Sequence, residues 1–189
     1  SLAAFLSELT LGLERAGIAY MVAGSYASSL HGEPRTTQDV DLVVRSTLPA
    51  LRTWFAALPH DRWYADEDTA REALRRGSQF NVVDMESGWK ADLIFVKRRP
   101  FSAAEFERRR RMEAGDLMLW VATPEDVILA KLEWARHGGS ERQLRDVSGV
   151  IAVCGGHLDL DYVDRWATEL GVADAWRRLL SGQSDYSLL

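Results

Sequence analysis

Two aspartates stand two residues apart in the run Asp39-Val40-Asp41-Leu42-Val43-Val44. The run alternates polar and apolar and then turns β-branched, which predicts a strand with one face in a core. Residues two apart on a strand point the same way. Both carboxylates therefore project from the face opposite Val40, Leu42 and Val44. Aligned carboxylates raise each other's pKa unless a cation sits between them. Hard divalent ions such as Mg²⁺ take oxygen ligands and keep several waters, so cation binding is the chemistry this pair can do. Taken alone, an Asp-x-Asp more often marks the solvated side of an edge strand.

A second candidate is Gly24-Ser25, between the strand-like run 18–23 and a helical stretch at 26–30. Glycine lets a backbone approach a phosphate closely, and the N–H groups of a helix start attract anions. The Ser25 hydroxyl adds a donor or simply caps the helix. Thirteen residues, Tyr26 to Gln38, separate Ser25 from Asp39. A short helix and a return loop fit that gap, so the phosphate-binding turn and the carboxylate strand can be neighbours in one sheet. A third carboxylate is Asp92, the one acid in the apolar strand 89–96; an acid so placed is costly unless paired or metal-bound. Asp84, on the less apolar run 80–85, ranks behind it.

The elements that must position these groups follow from periodicity and caps. Helices are predicted over 2–16, 47–58, 66–76 and 102–113, and a last strand over 117–121. Glu86-Ser87-Gly88 reads as a hairpin turn between 80–85 and 89–96. Thr123-Pro124-Glu125-Asp126 starts a helix with a capping hydroxyl, proline in the first turn and acids at the positive end of the dipole. Ser140-Glu141-Arg142-Gln143 reads as a capping box opening the next helix, with further helices over 159–170 and 172–180. The strands lie in the first two thirds of the chain and the last third is helical. The expected class is α+β (mixed α/β): a mixed sheet with flanking helices over residues 1–122, and a helical part over 123–189 packed on it.

The stretch Val22-Ala23-Gly24-Ser25 followed by Asp39-Val40-Asp41-Leu42 resembles the signature of the DNA polymerase β-like nucleotidyltransferases. More narrowly, the chain resembles the AbiEii-type toxin nucleotidyltransferases and their bacterial relatives. The matching pieces are Gly32-Glu33-Pro34-Arg35-Thr36-Thr37 before Asp39, Thr123 to Leu132 with Lys131, and Arg142-Gln143-Leu144-Arg145-Asp146-Val147. The resemblance implies transfer of a nucleoside monophosphate from an NTP such as ATP to an acceptor. Asp39, Asp41 and Asp92 would be catalytic and would hold two Mg²⁺ ions, or Mn²⁺ in their place. Gly24, Ser25, Arg35 and Lys131 would bind the nucleotide. RNA or protein is the favoured acceptor, and an antitoxin protein the partner a toxin would have. The alternative is a catalytically silent, nucleotide-binding regulatory module on the same fold.

Several features keep two readings open. Lys131 flanks the apolar stripe of its helix, from which it either snorkels to solvent or reaches a triphosphate. Arg145 and Asp146 are read as an ion pair. Residues 97–111 carry Lys97, Arg98, Arg99 and Arg108 to Arg111 against Glu105 and Glu107. That run is a solvated helix face or a patch for RNA; on a helix, Arg108 and Arg111 would share a side. Trp54, Trp134, Trp166 and Trp176 are read as packing residues.

The bulk properties narrow the field. A net charge of −5 argues against a protein that coats nucleic acid. The single cysteine, Cys154, excludes an intrachain disulfide; it reads as a small buried hydrophobe and suits a reducing, cytoplasmic setting. The four histidines are dispersed without zinc-ligand spacing. No run approaches a membrane span, and Glu8, Glu14 and Arg15 make the first helix unlike a secretory leader.

Overall fold

The structure, a computed structural model, describes residues 1–138 and 141–182. Ser140, expected to open the capping box, and Gly139 lie outside the described residues. The chain divides into two compact units: Ser1–Ala23 with Thr37–Val121, and Gly24–Thr36 with the chain from Ala122 onward.

The first unit is built on one seven-stranded mixed sheet among the described residues. Its strands are β1 (Ala19–Ala23), β2 (Asp39–Arg45), β3 (Trp63–Tyr64), β4 (Gln79–Asp84), β5 (Lys90–Phe95), β6 (Arg110–Ala114) and β7 (Leu117–Val121). Their order across the sheet is β3-β4-β5-β2-β1-β7-β6. β2 lies parallel to β5 and antiparallel to β1. Helices α1 (Leu2–Arg15), α3 (Leu48–Ala57), α4 (Glu67–Arg76) and α5 (Pro100–Arg108) belong to the same unit.

Alternation along these strands buries one face. Val40, Leu42 and Val44, Ala91, Leu93 and Phe95, and Phe80 and Val82 are all at most 3% exposed. Aromatic rings fill the space over them. Trp54 and Phe55 of α3 meet Phe80, Phe80 stacks on Phe95 at 5.8 Å, and Phe5 of α1 stacks on Trp63 at 5.2 Å. Such pairs add to the area they bury.

On that face sits an ion pair with one buried member. Asp84 is 1% exposed and accepts from Arg62 Nε at 3.1 Å and Arg62 Nη2 at 2.9 Å. It also accepts from Ser87 Oγ and the Glu86 amide, closing the turn into β5. Chiefly through the Arg62 hydrogen bonds, its carboxyl is held well below the usual carboxylate range, although burial opposes that.

The helix expected over 102–113 ends at Arg108, and the chain continues as strand β6. Gly115, with φ of 62°, and Asp116 make a two-residue turn that pairs Arg110 with Val121 and Ala114 with Leu117. Cross-strand hydrogen bonding outweighs the helical tendency of the arginine run, and the Gly-Asp pair is the hairpin signal behind it. Arg108 and Arg111 therefore do not share a helix face. Arg109 lies over the Phe106 and Trp120 rings, and Arg111 reaches Glu14 at 3.7 Å.

The second unit consists of α2 (Gly24–His31), α6 (Pro124–Gly138), α7 (Glu141–Cys154), α8 (Leu160–Glu169) and α9 (Ala173–Leu180), with a 3₁₀ turn at Gly155–His157. The chain passes into it for the last time after Val121, next to the boundary expected at 122, but residues 24–36 also belong to it. Close backbone approach explains that inclusion: a Cβ on Gly32 would lie 2.8 Å from the backbone of Gly149 and Val150 in α7. Thr123 caps α6 as expected, its Oγ1 accepting from the Asp126 amide. The acids behind it do more than face the dipole. Buried Asp126 accepts from Thr123 Oγ1 at 2.8 Å and Tyr162 Oη at 2.6 Å, and Glu125 accepts from the Asp159 amide, so both tie α6 to α8. Cys154 is half-buried, its Sγ donates to the His31 carbonyl, and burial pushes the thiol up. Trp54 and Trp176 are buried as expected, whereas Trp134 is 69% exposed on the outer side of α6. Among the described residues no helix is long and apolar enough to cross a membrane.

Two stability predictions follow from these contacts. Gly32→Ala should destabilise by about 1–3 kcal/mol through overpacking against α7, while Gly156→Ala, whose Cβ would meet nothing within 4 Å, should leave the melting temperature nearly unchanged. Asp84→Asn should lower stability at neutral pH, because it removes the charge that the Arg62 fork and the turn donors hold. Because the folded Asp84 pKa is depressed, its contribution is present above the unfolded value, about 3.9, and fades as pH falls through the folded one. Melting curves of wild type and Asp84→Asn should therefore converge in acid; a gap that persists unchanged into strong acid contradicts this.

Candidate active site

The face of the sheet opposite Val40, Leu42 and Val44 carries the carboxylates. Val40, Leu42 and Val44 are buried, so Asp39 and Asp41 face the other way, as alternation requires. Parallel pairing sets Asp41 opposite Asp92 and Asp39 opposite Lys90. Antiparallel pairing sets Asn81 opposite Asp92 on the other flank. On β1, Ala23 is opposite Asp41. One row therefore runs Asn81, Asp92, Asp41, Ala23 across four strands, and Gly24 is the next residue of the chain after Ala23.

Like charges placed directly opposite on neighbouring strands destabilise a sheet. Two groups that sequence reading missed offset this. Asn81 Nδ2 donates to Asp92 Oδ1 at 2.6 Å. Lys90 Nζ stands 3.6 Å from Asp39 Oδ2 and 3.6 Å from Asp92 Oδ1. Lys90 is two residues before Asp92 on one strand, so its face was legible from alternation; Asn81 required the pairing register. The side chain of Asp39 is 51% exposed and that of Asp92 17%. Among the described residues, no three His, Cys, Asp or Glu side chains are gathered closely enough to hold a metal ion. The strand positions suit an oxygen-ligand cation site, and the Lys90 ammonium reaches two of the three carboxylates. Asp84, the rival of Asp92, lies on the buried face with Arg62.

The second unit holds the other predicted residues. Gly24 has φ of 58°, a left-handed conformation that favours glycine, where β1 gives way to α2. Ser25 lies in the first turn of α2, and its Oγ accepts from Arg35 Nη2. Arg35 also donates Nε and Nη2 to the two carboxylate oxygens of Asp146, at 3.0 and 3.1 Å. This fork-to-fork geometry is specific to arginine. Lys131 Nζ donates to Asp146 Oδ2 at 2.8 Å and Gln143 Oε1 at 3.0 Å. Ser25, Arg35 and Lys131 are thus brought together within this unit, and Asp146 is the group that joins them.

Two expectations change here. Lys131 does not snorkel: it is 4% exposed and ends on Asp146. Asp146 pairs with Arg35 and Lys131 rather than with Arg145, because adjacent helical residues point about 100° apart; Arg145 is exposed. Burial works to raise the Asp146 pKa, but the hydrogen bonds and charges of Lys131 and Arg35 prevail and lower it. A cavity of about 320 Å³ opens beside this network, lined by Glu33, Arg35, Arg142, Arg145 and Asp146 among others.

No protein-family model and no curated protein matches the chain. Among solved structures, it is similar to an antigenic nucleotidyltransferase-like protein from Paracoccidioides brasiliensis, with 18% identity, a TM-score of 0.66, and coverage of 97% of this chain and 91% of that one. Weaker similarity, with a TM-score of 0.38 at 14% identity, extends to JHP933 from Helicobacter pylori over 97% of this chain and 95% of that one. A cytoplasmic RNA terminal U-transferase matches at a TM-score of 0.36 and 17% identity, over 74% of this chain and 39% of that one. The last two likenesses are too low to bear on the argument. At 18% identity, the first speaks to architecture alone: the chain has a nucleotidyltransferase-like fold.

Proposed function

We propose that this protein is a nucleotidyltransferase, moving a nucleoside monophosphate from an NTP to an acceptor hydroxyl and releasing pyrophosphate. The observation that carries the reading is the cross-strand row in which Asp92, Asp41 and Ala23 are opposed, with Gly24-Ser25 following directly in the chain. The nucleotidyltransferase-like fold is consistent with it.

In this reading Asp92 takes the proton of the acceptor hydroxyl, and the acceptor oxygen attacks the α-phosphorus while the bond to the α–β bridging oxygen breaks and pyrophosphate leaves. Gly24 and Ser25 offer backbone and hydroxyl donors to the β- and γ-phosphates. Arg35 and Lys131, held by Asp146, supply positive charge to the same anion. Asp39, Asp41 and Asp92 would hold Mg²⁺ or Mn²⁺, which when bound neutralises charge developing on the α-phosphoryl group. RNA or protein is the proposed acceptor, and a toxin role with an antitoxin partner is the narrower form of the proposal. The basic run favours RNA less than its composition suggests, since Arg109 and Arg111 are engaged with Trp120 and, for Arg111, with Glu14.

The test is incubation with each NTP radiolabelled at the α-phosphate, Mg²⁺ or Mn²⁺, and total cellular RNA or protein. Label should enter one fraction and fall by about a hundredfold or more in Asp41→Asn, with the melting temperature maintained. Undiminished labelling by that variant contradicts the assignment. Saturable NTP binding with no labelled product favours the silent regulatory reading.

Lys131 gives an independent check. Losing its charge-assisted contact should weaken NTP binding by about 1.5–3 kcal/mol in Lys131→Ala, with partial recovery in Lys131→Arg. An unchanged nucleotide dissociation constant alongside a lowered melting temperature would reduce Lys131 to a structural partner of Asp146.

A further inference from the structure

Helices α1 and α3 lie on the sheet face turned away from Asp39, Asp41 and Asp92, where Phe5 meets Trp63 and Trp54 meets Phe80. Between them opens a cavity of about 460 Å³, wholly within the first unit. That volume falls in the range of small-molecule sites. Its walls are largely apolar: Leu9 and Gly12 of α1, Ala16 at the end of α1, Trp54 and Ala57 of α3, and Trp63. Gly12 and Ala16 are four apart and share one side of the helix; larger side chains there would close the space. Two side-chain groups in the lining lack partners among the described residues. Trp54 is 2% exposed, yet its indole N–H meets no acceptor. It is turned toward Gly12, where a Cβ would stand 3.4 Å from Nε1. A buried indole N–H ordinarily finds a hydrogen-bond partner. Arg15, one turn beyond Gly12, is exposed and makes no ion pair. Glu8 also lines the cavity, but both of its carboxylate oxygens accept from Arg62. The unmatched charge of the lining is therefore positive.

We propose that this cavity is a binding site for a small, flat apolar acid, an aryl carboxylate in chemical class. The ring lies between α1 and α3 against Gly12, Ala16 and Trp63, and the carboxylate accepts from the Trp54 N–H while facing the Arg15 guanidinium. One carboxylate can reach both groups, because residues three apart on a helix have Cβ atoms about 5–6 Å apart and the Trp54 N–H faces Gly12. A single unmatched cation and a single open donor suit a monoanion; a phosphate would bring more charge and more acceptors than the lining answers. Burial of the ring against the apolar walls supplies the driving force, and the two polar groups fix its orientation. The proposal is independent of the nucleotidyl-transfer reading, since none of these residues belongs to the carboxylate row or to the network around Asp146.

The experiment is titration of the ¹⁵N-labelled full chain with naphthoate, followed through the indole N–H resonances, with uncharged naphthylmethanol as the comparison. Trp54→Phe lacks one such resonance and so assigns the Trp54 signal. In wild type that signal should shift on adding naphthoate, with half-saturation below about 1 mM. Arg15→Gln should weaken naphthoate about fivefold, the size of an exposed charge contact, and leave naphthylmethanol unchanged. Gly12→Leu fills the cavity and should abolish binding of both, while melting at or above wild type because leucine favours a helix more than glycine does. A Trp54 signal in wild type that shows no saturable shift overturns the proposal, as does equal binding of naphthoate by wild type and Gly12→Leu. Equal affinity of wild type and Arg15→Gln for naphthoate overturns the assignment of an acid. Arg15 is exposed, so its variant decides even where the Gly12 variant fails to fold.

Discussion

Everything at the candidate site depends on the parallel register between β2 and β5. It sets Asp41 opposite Asp92, on strands that lie about 4.8 Å apart. A shift of one residue would turn either carboxylate into the core and an apolar side chain into water. The register is enforced from the other face. Val40 meets Ala91, Leu42 meets Leu93 and Val44 meets Phe95, all nearly inaccessible to solvent. The aromatic layer of Trp54, Phe55, Phe80 and Phe95 stabilises that pairing. The hydrophobic side of the sheet thus holds together an arrangement that its polar side opposes.

The polar side is made tolerable by local partners. Asn81 and Lys90 come from positions that strand alternation places on the same face, and each contacts Asp92. Asp84 differs by one position in parity from Asn81 and Val83. It therefore lies among core residues, where only a bidentate arginine and the turn donors make an ionised carboxylate acceptable. Two acids on adjacent strands, Asp84 and Asp92, are separated in role by which face they occupy.

The second unit shows the same economy with charge. Asp146 accepts from an arginine fork and a buried ammonium at once, and Ser25 is fixed by the arginine. A buried lysine without such a partner would lose its proton or destabilise the helix. The network accordingly orders α2, the loop carrying Arg35, α6 and α7 within one unit. It also gathers two cations in the unit that begins with Gly24-Ser25.

The sequence by itself determined most elements and the identity of the acidic face. Period-two alternation in 39–44 and the isolated acid in 89–96 are local patterns, and local patterns survive in one dimension. The apolar stripe over 47–58 and the cap at Thr123 marked their helices for the same reason. The tertiary structure decided what depends on pairing between distant residues. It ended the basic helix at Arg108, because β6 gains a hairpin partner in β7. It joined residues 24–36 to the C-terminal helices, because Gly32 permits backbone approach to α7. It paired Asp146 with Arg35 across 111 residues of chain rather than with its neighbour, since helix geometry turns adjacent side chains apart. It also brought Lys90 and Asn81 to the carboxylates. A cation two residues from an acid is unremarkable in sequence; it acquires meaning only when strand register sets a second carboxylate beside it.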